Sequence, residues 1–159
     1  MEDKNIIKNI ITSKNTNYST FLQCDCGGEI LWLYFYYKTS TCEEIIILDY
    51  IGDLKDKKEF KYKHFSFTRD NLNSFSNDLI SSQDLKTFYN IYEDRGSYLI
   101  FEKDELNFYT LRIAKNKKLA IKKKYVWEII VQPPQLIEFS DEIKKLQSII
   151  KEWDKKLST

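Results

Sequence analysis

Glu29-Ile30-Leu31-Trp32-Leu33-Tyr34-Phe35-Tyr36-Tyr37-Lys38 and, a few residues on, Cys42-Glu43-Glu44-Ile45-Ile46-Ile47-Leu48-Asp49-Tyr50 decide the fold class. Ile30 to Tyr37 contains no polar residue and does not alternate, which is the signature of a strand covered on both faces. Ile45 to Leu48 repeats the pattern. The gap between the two segments is short, so they are expected to pair as an antiparallel hairpin at the centre of a sheet.

Upstream, Thr20 to Cys24 is a candidate first strand, and Asp25-Cys26-Gly27-Gly28 a tight turn whose glycines tolerate positive φ. Ile6 to Ile11 reads as a short amphipathic helix or a frayed arm, and the polar, Asn-rich segment Thr12 to Ser19 as a loop. Downstream, Gly52-Asp53 closes the second apolar strand, and Phe60 to Phe67 alternates as a third. Thr68 is a good N-cap, and Leu72, Phe75, Leu79 and Ile80 follow at helical spacing, predicting a helix over about 69–81. Lys86 to Tyr92 and Ser97 to Lys103 flank Asp94-Arg95-Gly96, a hairpin signal. Leu106 to Ile113 continues the sheet across Asp104-Glu105, and Asn116 marks another turn. Leu119-Ala120-Ile121 and Tyr125 to Val131 read as strand. Pro133-Pro134 ends the sheet because proline cannot donate to a ladder. Ser140 reads as the cap of a last helix over about 140–157, with Ile143, Leu146, Ile149, Ile150, Trp153 and Leu157 on one face. The expected class is α+β, mainly antiparallel sheet with a mid-chain and a C-terminal helix, in a single domain over residues 1–159.

The composition bounds the function. The 159 residues are 42% hydrophobic and 31% charged, which suits a globular domain rather than a disordered chain. With 25 basic and 24 acidic residues the net charge is +1, giving no overall attraction toward nucleic acid or an anionic surface. Nearly all the basic residues are lysine and alanine is scarce, a bias that reads as an AT-rich genome. The opening Met1-Glu2-Asp3-Lys4-Asn5 lacks the basic and apolar regions of a secretory signal. No apolar run nears the ~20 residues of a membrane span. Three cysteines, an odd number, fit a reducing compartment. A cytoplasmic protein without a membrane partner is expected.

Cys24, Cys26, Cys42 and His64 are the residue types that bind zinc, but cysteines one residue apart depart from the usual knuckle of two to four. The plainer reading is that the thiols are small hydrophobes. His64 is the lone histidine, so any Ser–His or Cys–His nucleophile, with Ser66 or a cysteine, must use it. Asp49 followed by Glu59-Phe60-Lys61 has the acid, acid-x-lysine order of metal nucleases, an order that chance supplies freely in so charged a chain. No phosphate-cradling, dinucleotide, zincin or calcium-loop motif is present, and no cofactor is expected. Lys115, Lys117, Lys118, Lys122, Lys123 and Lys124 cluster beside Tyr125 and Trp127. Such interleaving can track a phosphate backbone and stack bases, or simply guard a sheet edge.

Phe21 to Tyr50, with Cys24-Asp25-Cys26-Gly27-Gly28-Glu29-Ile30-Leu31, resembles small proteins of phages and other mobile elements that carry a strand, a C-x-C-G turn and a second apolar strand. The resemblance implies a mobile-element origin and transfers no activity. A non-enzymatic protein that binds and inhibits a protein partner, of the anti-defence or toxin-immunity kind, is the expected function. Glu43, Glu44, Glu93, Asp94, Glu102, Asp104 and Glu105 at hairpin ends are its candidate contacts. The alternatives are a nucleic-acid binder using the Lys115–Lys124 cluster and a small metal-dependent enzyme. A second copy of the chain is a further candidate partner.

Overall fold

The computed structural model describes the backbone of residues 18–26, 29–38, 43–51 and 64–157, and the side chains of residues 46–48, 64–152, 154 and 155. The expected helix over residues 6–11, the turn at Gly27-Gly28, Cys42, and the Gly52 to Lys63 segment with Glu59 and Lys61 lie outside the described residues.

Two four-stranded antiparallel meanders form, where the sequence predicts one sheet. The first joins β1 (Tyr18–Cys26), β2 (Glu29–Lys38), β3 (Glu43–Ile51) and β4 (His64–Phe67) in chain order. The two apolar segments are its central strands, in the register Leu33↔Leu48 and Phe35↔Ile46. Helix α1 (Arg69–Ser81) follows, then a 3-10 turn (Ser82–Asp84). The second sheet joins β5 (Phe88–Asp94), β6 (Ser97–Lys103), β7 (Tyr109–Ala114) and β8 (Trp127–Val131), with the short helix α2 (Lys117–Ile121) between the last two. Helix α3 (Pro133–Leu157) ends the fold. Strand β4 lies against β5 and β6, while β1 lies against β8 and α3.

Local chemistry explains most boundaries. Thr68 Oγ1 accepts the Asn71 amide at 3.1 Å, so α1 starts where predicted. Arg95 and Gly96 both have positive φ, 49° and 86°, the geometry of a two-residue hairpin whose twist matches its strands.

Two readings of local structure also change. Leu119-Ala120-Ile121 is helix, not strand: Asn116 Oδ1 accepts the Leu119 amide at 2.9 Å and caps α2. Three apolar residues between lysines carry no periodicity strong enough to outvote that cap. Helix α3 begins at Pro133 rather than Ser140. Proline is tolerated in a first helical turn, where the missing N–H would find no partner inside the helix. The Gln135 side chain returns to accept the Gln132 amide at 3.0 Å, half of a capping box. Ser140 is therefore a buried mid-helix residue.

One buried cluster spans β3, β4, both long helices and all of the second sheet. Phe75 on α1 is at its centre. Its ring stacks on Phe67 (5.5 Å) and meets Tyr92 (5.3 Å), Phe101 (5.9 Å) and Phe139 (6.1 Å) edge-on. Phe75→Ala opens a cavity that four elements cannot jointly close, so urea denaturation is expected to show a loss of about 3–5 kcal/mol. A loss below about 1 kcal/mol would show that the core does not depend on this ring.

Candidate functional site

Both long helices contribute to the core on the inner face of the second sheet, and strand alternation decides what its outer face carries. In β7, Tyr109, Leu111 and Ile113 are buried inward while Thr110 and Arg112 are half-exposed. Pairing then assembles three rows on the outer face: Tyr89–Glu102–Thr110–Ile130, Ile91–Ile100–Arg112–Glu128, and Glu93–Tyr98–Ala114. Three apolar or aromatic side chains stand out into solvent there: Tyr89 at 58% exposure, Ile130 at 54% and Ile91 at 40%. Ile100 is the floor, 2% exposed.

Arg112 holds the middle of this face. Its Nη1 donates to Glu102 at 2.9 Å and its Nε to the Glu128 carboxylate. Its guanidinium lies 5.4 Å from the Tyr125 ring centroid. Two carboxylates and a ring fix a planar fork in one orientation, so the entropy of ordering it is spent before any partner arrives.

The β5 edge is partly capped against strand addition. Asp94 and Ser97 close the hairpin, so the amides of Ile91 and Glu93 alternate away from β6. Asn90 Oδ1 accepts the Ile91 amide at 2.9 Å, and the Glu93 carbonyl accepts Asn71 Nδ2 at 2.8 Å. Side chains thus occupy groups that another chain would need.

The acidic candidates do not form one surface. Glu93 and Asp94 stand at the β5–β6 turn, whereas Asp104 and Glu105 follow β6 at the opposite end of the sheet, about 20 Å away. Glu102 is committed to Arg112. Asp104 Oδ1 accepts the amides of Leu106 (2.9 Å) and Phe108 (3.0 Å) and so shapes its own loop. Glu105 is exposed in that loop. Glu43 and Glu44 open β3 opposite Lys38 and Tyr37.

Lys115, Lys117, Lys118, Lys122, Lys123 and Lys124 are all exposed, in and around α2. The aromatics beside them do not form a stacking platform. Trp127 is 6% exposed in the core, and Tyr125 is half-buried by Arg112.

His64 is exposed at the start of β4, in register with Asp49, and Ser66 is half-buried two residues on. Cys24 and Cys26 are on β1, the other edge of that sheet. Three strand spacings, about 14 Å, separate the edges, so the sheet does not bring these cysteines to His64. Among the described residues no three His, Cys, Asp or Glu side chains gather as a metal group. No helix among them is long and apolar enough to cross a membrane.

Two polar centres lie inside, and sequence reasoning missed both. Lys103 is 5% exposed, and its ammonium donates to the carbonyls of Ser82 (2.9 Å), Gln83 (3.2 Å) and Leu85 (2.6 Å). It also lies 5.4 Å from the Tyr109 ring centroid. The ammonium gathers three carbonyls at the end of α1 and its 3-10 turn, of which Ser82 O also accepts the Leu85 amide at 3.2 Å, and the helix dipole favours a cation there. Asp78 accepts from the Tyr92 hydroxyl and from Asn90 Nδ2 (2.8 Å), tying α1 to β5. Burial and then Asp78 push the Tyr92 phenol far above its usual range. Both tie α1 and its 3-10 turn to the second sheet.

Compared with known proteins, the chain matches no family model and no curated protein.

Lys103→Met removes the donor and leaves three carbonyls behind, so a loss of about 2–3 kcal/mol is expected on urea denaturation. An unchanged midpoint would show that the lysine is not a clamp. For Tyr92, the unfolded phenol ionises near pH 10 while the folded one keeps its proton. The unfolded state therefore binds fewer protons there, and stability falls as pH rises through and above about 10. Tyr92→Phe is expected to show a shallower decline than the parent in that range. Parallel curves would remove Tyr92 as the cause.

Proposed function

We propose that the protein is a non-enzymatic binding module that engages a protein partner through the outer face of its second sheet and inhibits that partner by occupying it. One observation carries this reading: Tyr89, Ile91 and Ile130 are exposed around an arginine already held by two carboxylates. Aromatic, arginine and aliphatic anchors on a fixed backbone are what dominates protein interfaces. A regular strand face also positions such anchors more firmly than loops do. Exposed apolar side chains grouped on one face mark interaction sites more often than scattered ones do.

The charges around the face set the chemistry of the partner. The six lysines flank the end where β7 finishes, and Asp104 and Glu105 flank the other. A partner with an apolar patch between an acidic and a basic rim would be steered into one orientation. The likeness of residues 21–50 to proteins of phages and mobile elements makes a host defence protein or a cognate toxin, met in the cytoplasm, the partner class to seek. Nucleic acid is the second reading, favoured by the six exposed lysines. It would use the α2 end, by phosphate contact without base stacking.

The test is capture of partners from the native host with the parent protein and with Ile91→Asp and Ile130→Asp. Both positions are exposed, so folding stability should change by no more than about 0.5 kcal/mol. A partner held by the parent is expected to bind each variant at least about tenfold more weakly. Charge reversal at Glu105 or at the lysines should alter mainly the association rate and its salt dependence. Equal affinity in both aspartate variants would remove the outer face. Turnover of a substrate by the isolated protein would remove the binding reading altogether.

A further inference from the structure

The long helices run antiparallel and leave a cleft on their solvent side, away from the outer face of the second sheet. Arg69 on α1 grips Asp154 on α3 through two bonds of 2.7 and 2.8 Å, closing one end. Further along, Gln147 Nε2 donates to Asn73 at 2.7 Å, and Ser76 donates to Gln147 at 3.1 Å. These bonds set the spacing between the helices. The cleft has a volume of about 520 Å³, opens to solvent, and is lined at its base by Leu72 and Ile150. That volume falls within the range of small-molecule sites.

Its charge is unbalanced. Arg69, Lys144 and Lys151 line it against one carboxylate, Asp154, whose two oxygens are both engaged by Arg69. Arg69 holds the Asp154 carboxyl below its usual range, so it stays ionised and committed. Lys144 and Lys151 are two turns apart on the same face of α3, and neither has a carboxylate partner among the described residues. Lys144 and Lys151 both line the one concave site, and a bound anion would be attracted by both. Lysine suits phosphate as a point charge. The apolar floor adds a requirement for an apolar body on the same ligand.

We infer that the α1–α3 cleft binds a small phosphomonoester, its phosphate between Lys144 and Lys151 and its apolar part over Leu72 and Ile150. The site is independent of the protein-binding face, and both can be filled together.

The experiment titrates the ¹⁵N-labelled full chain separately with phenyl phosphate, inorganic phosphate and phenol. Phenyl phosphate is expected to shift the amides of residues 69–73 and 144–151 saturably, with about tenfold tighter binding than either fragment. Lys144→Glu with Lys151→Glu should weaken it by at least about tenfold, while Lys144→Arg with Lys151→Arg retains most of it. A melting temperature within a few degrees of the parent shows that both variants fold. Absence of saturable shifts in those segments, equal binding of all three probes, or binding indifferent to charge reversal would each overturn the inference.

Discussion

A single ring joins the parts of this fold. Phe75 reaches Phe67 on β4, Tyr92 on β5, Phe101 on β6 and Phe139 on α3, with centroids between 5.3 and 6.1 Å. It is wholly buried, and so are the rings of Phe65 and Phe101 near it. Aromatic contacts of this kind add directionality to area burial, because edge-to-face geometry is preferred over arbitrary overlap. With Phe75 in place, α1 crosses the inner face of the second sheet, and the first sheet joins the same core through β3 and β4. The inner face is then filled by core side chains, while the outer face keeps Tyr89, Ile91 and Ile130 exposed.

The buried polar groups sharpen the same arrangement. Lys103 closes the carbonyl end of α1, and the Asp78–Tyr92–Asn90 group ties the middle of that helix to β5. Neither adds much net stability relative to a well-packed apolar core. They tie α1 to the inner side of the second sheet, opposite the face on which strand alternation places Tyr89 and Ile91. Arg112 does for the outer face what Lys103 does for the inner one. Each is a cation whose position is determined by groups brought in from neighbouring elements.

Much of the fold was legible in the chain. The unbroken apolar runs at 30–37 and 45–48 named the central pair, Thr68 named the start of α1, and Asp94-Arg95-Gly96 named the hairpin. What failed did so for local reasons. Leu119 to Ile121 is too short for periodicity, and the Asn116 cap decided its state. Pro133-Pro134 looked like a stop and is a start, because the first helical turn needs none of the bonds that proline lacks. The division into two sheets was not legible, since each strand looks the same whichever sheet it joins. The candidate site was legible only in part. The acids and lysines were visible as charges, but strand register decides which of them meet. Glu102 finds Arg112 across a pairing of β6 with β7, and Glu128 finds it across β8. Leu106 to Ile113 was read as a strand, but nothing in the chain singled out Arg112 or named its partners. Lys103, on an inward position of β6, would have read as an error in the pattern had its three carbonyls not been there to receive it.

The central claim is that the outer face of the second sheet is where a protein partner sits. A photo-crosslinking amino acid placed at Tyr89 or at Ile130, with controls at Ser74 on α1 and Glu152 on α3, measures this directly in the native host. All four positions are exposed. The account predicts that Tyr89 and Ile130 capture the same single protein in stoichiometric yield and that neither control does. Capture from the helix positions with none from the sheet would contradict it, as would capture of nucleic acid alone.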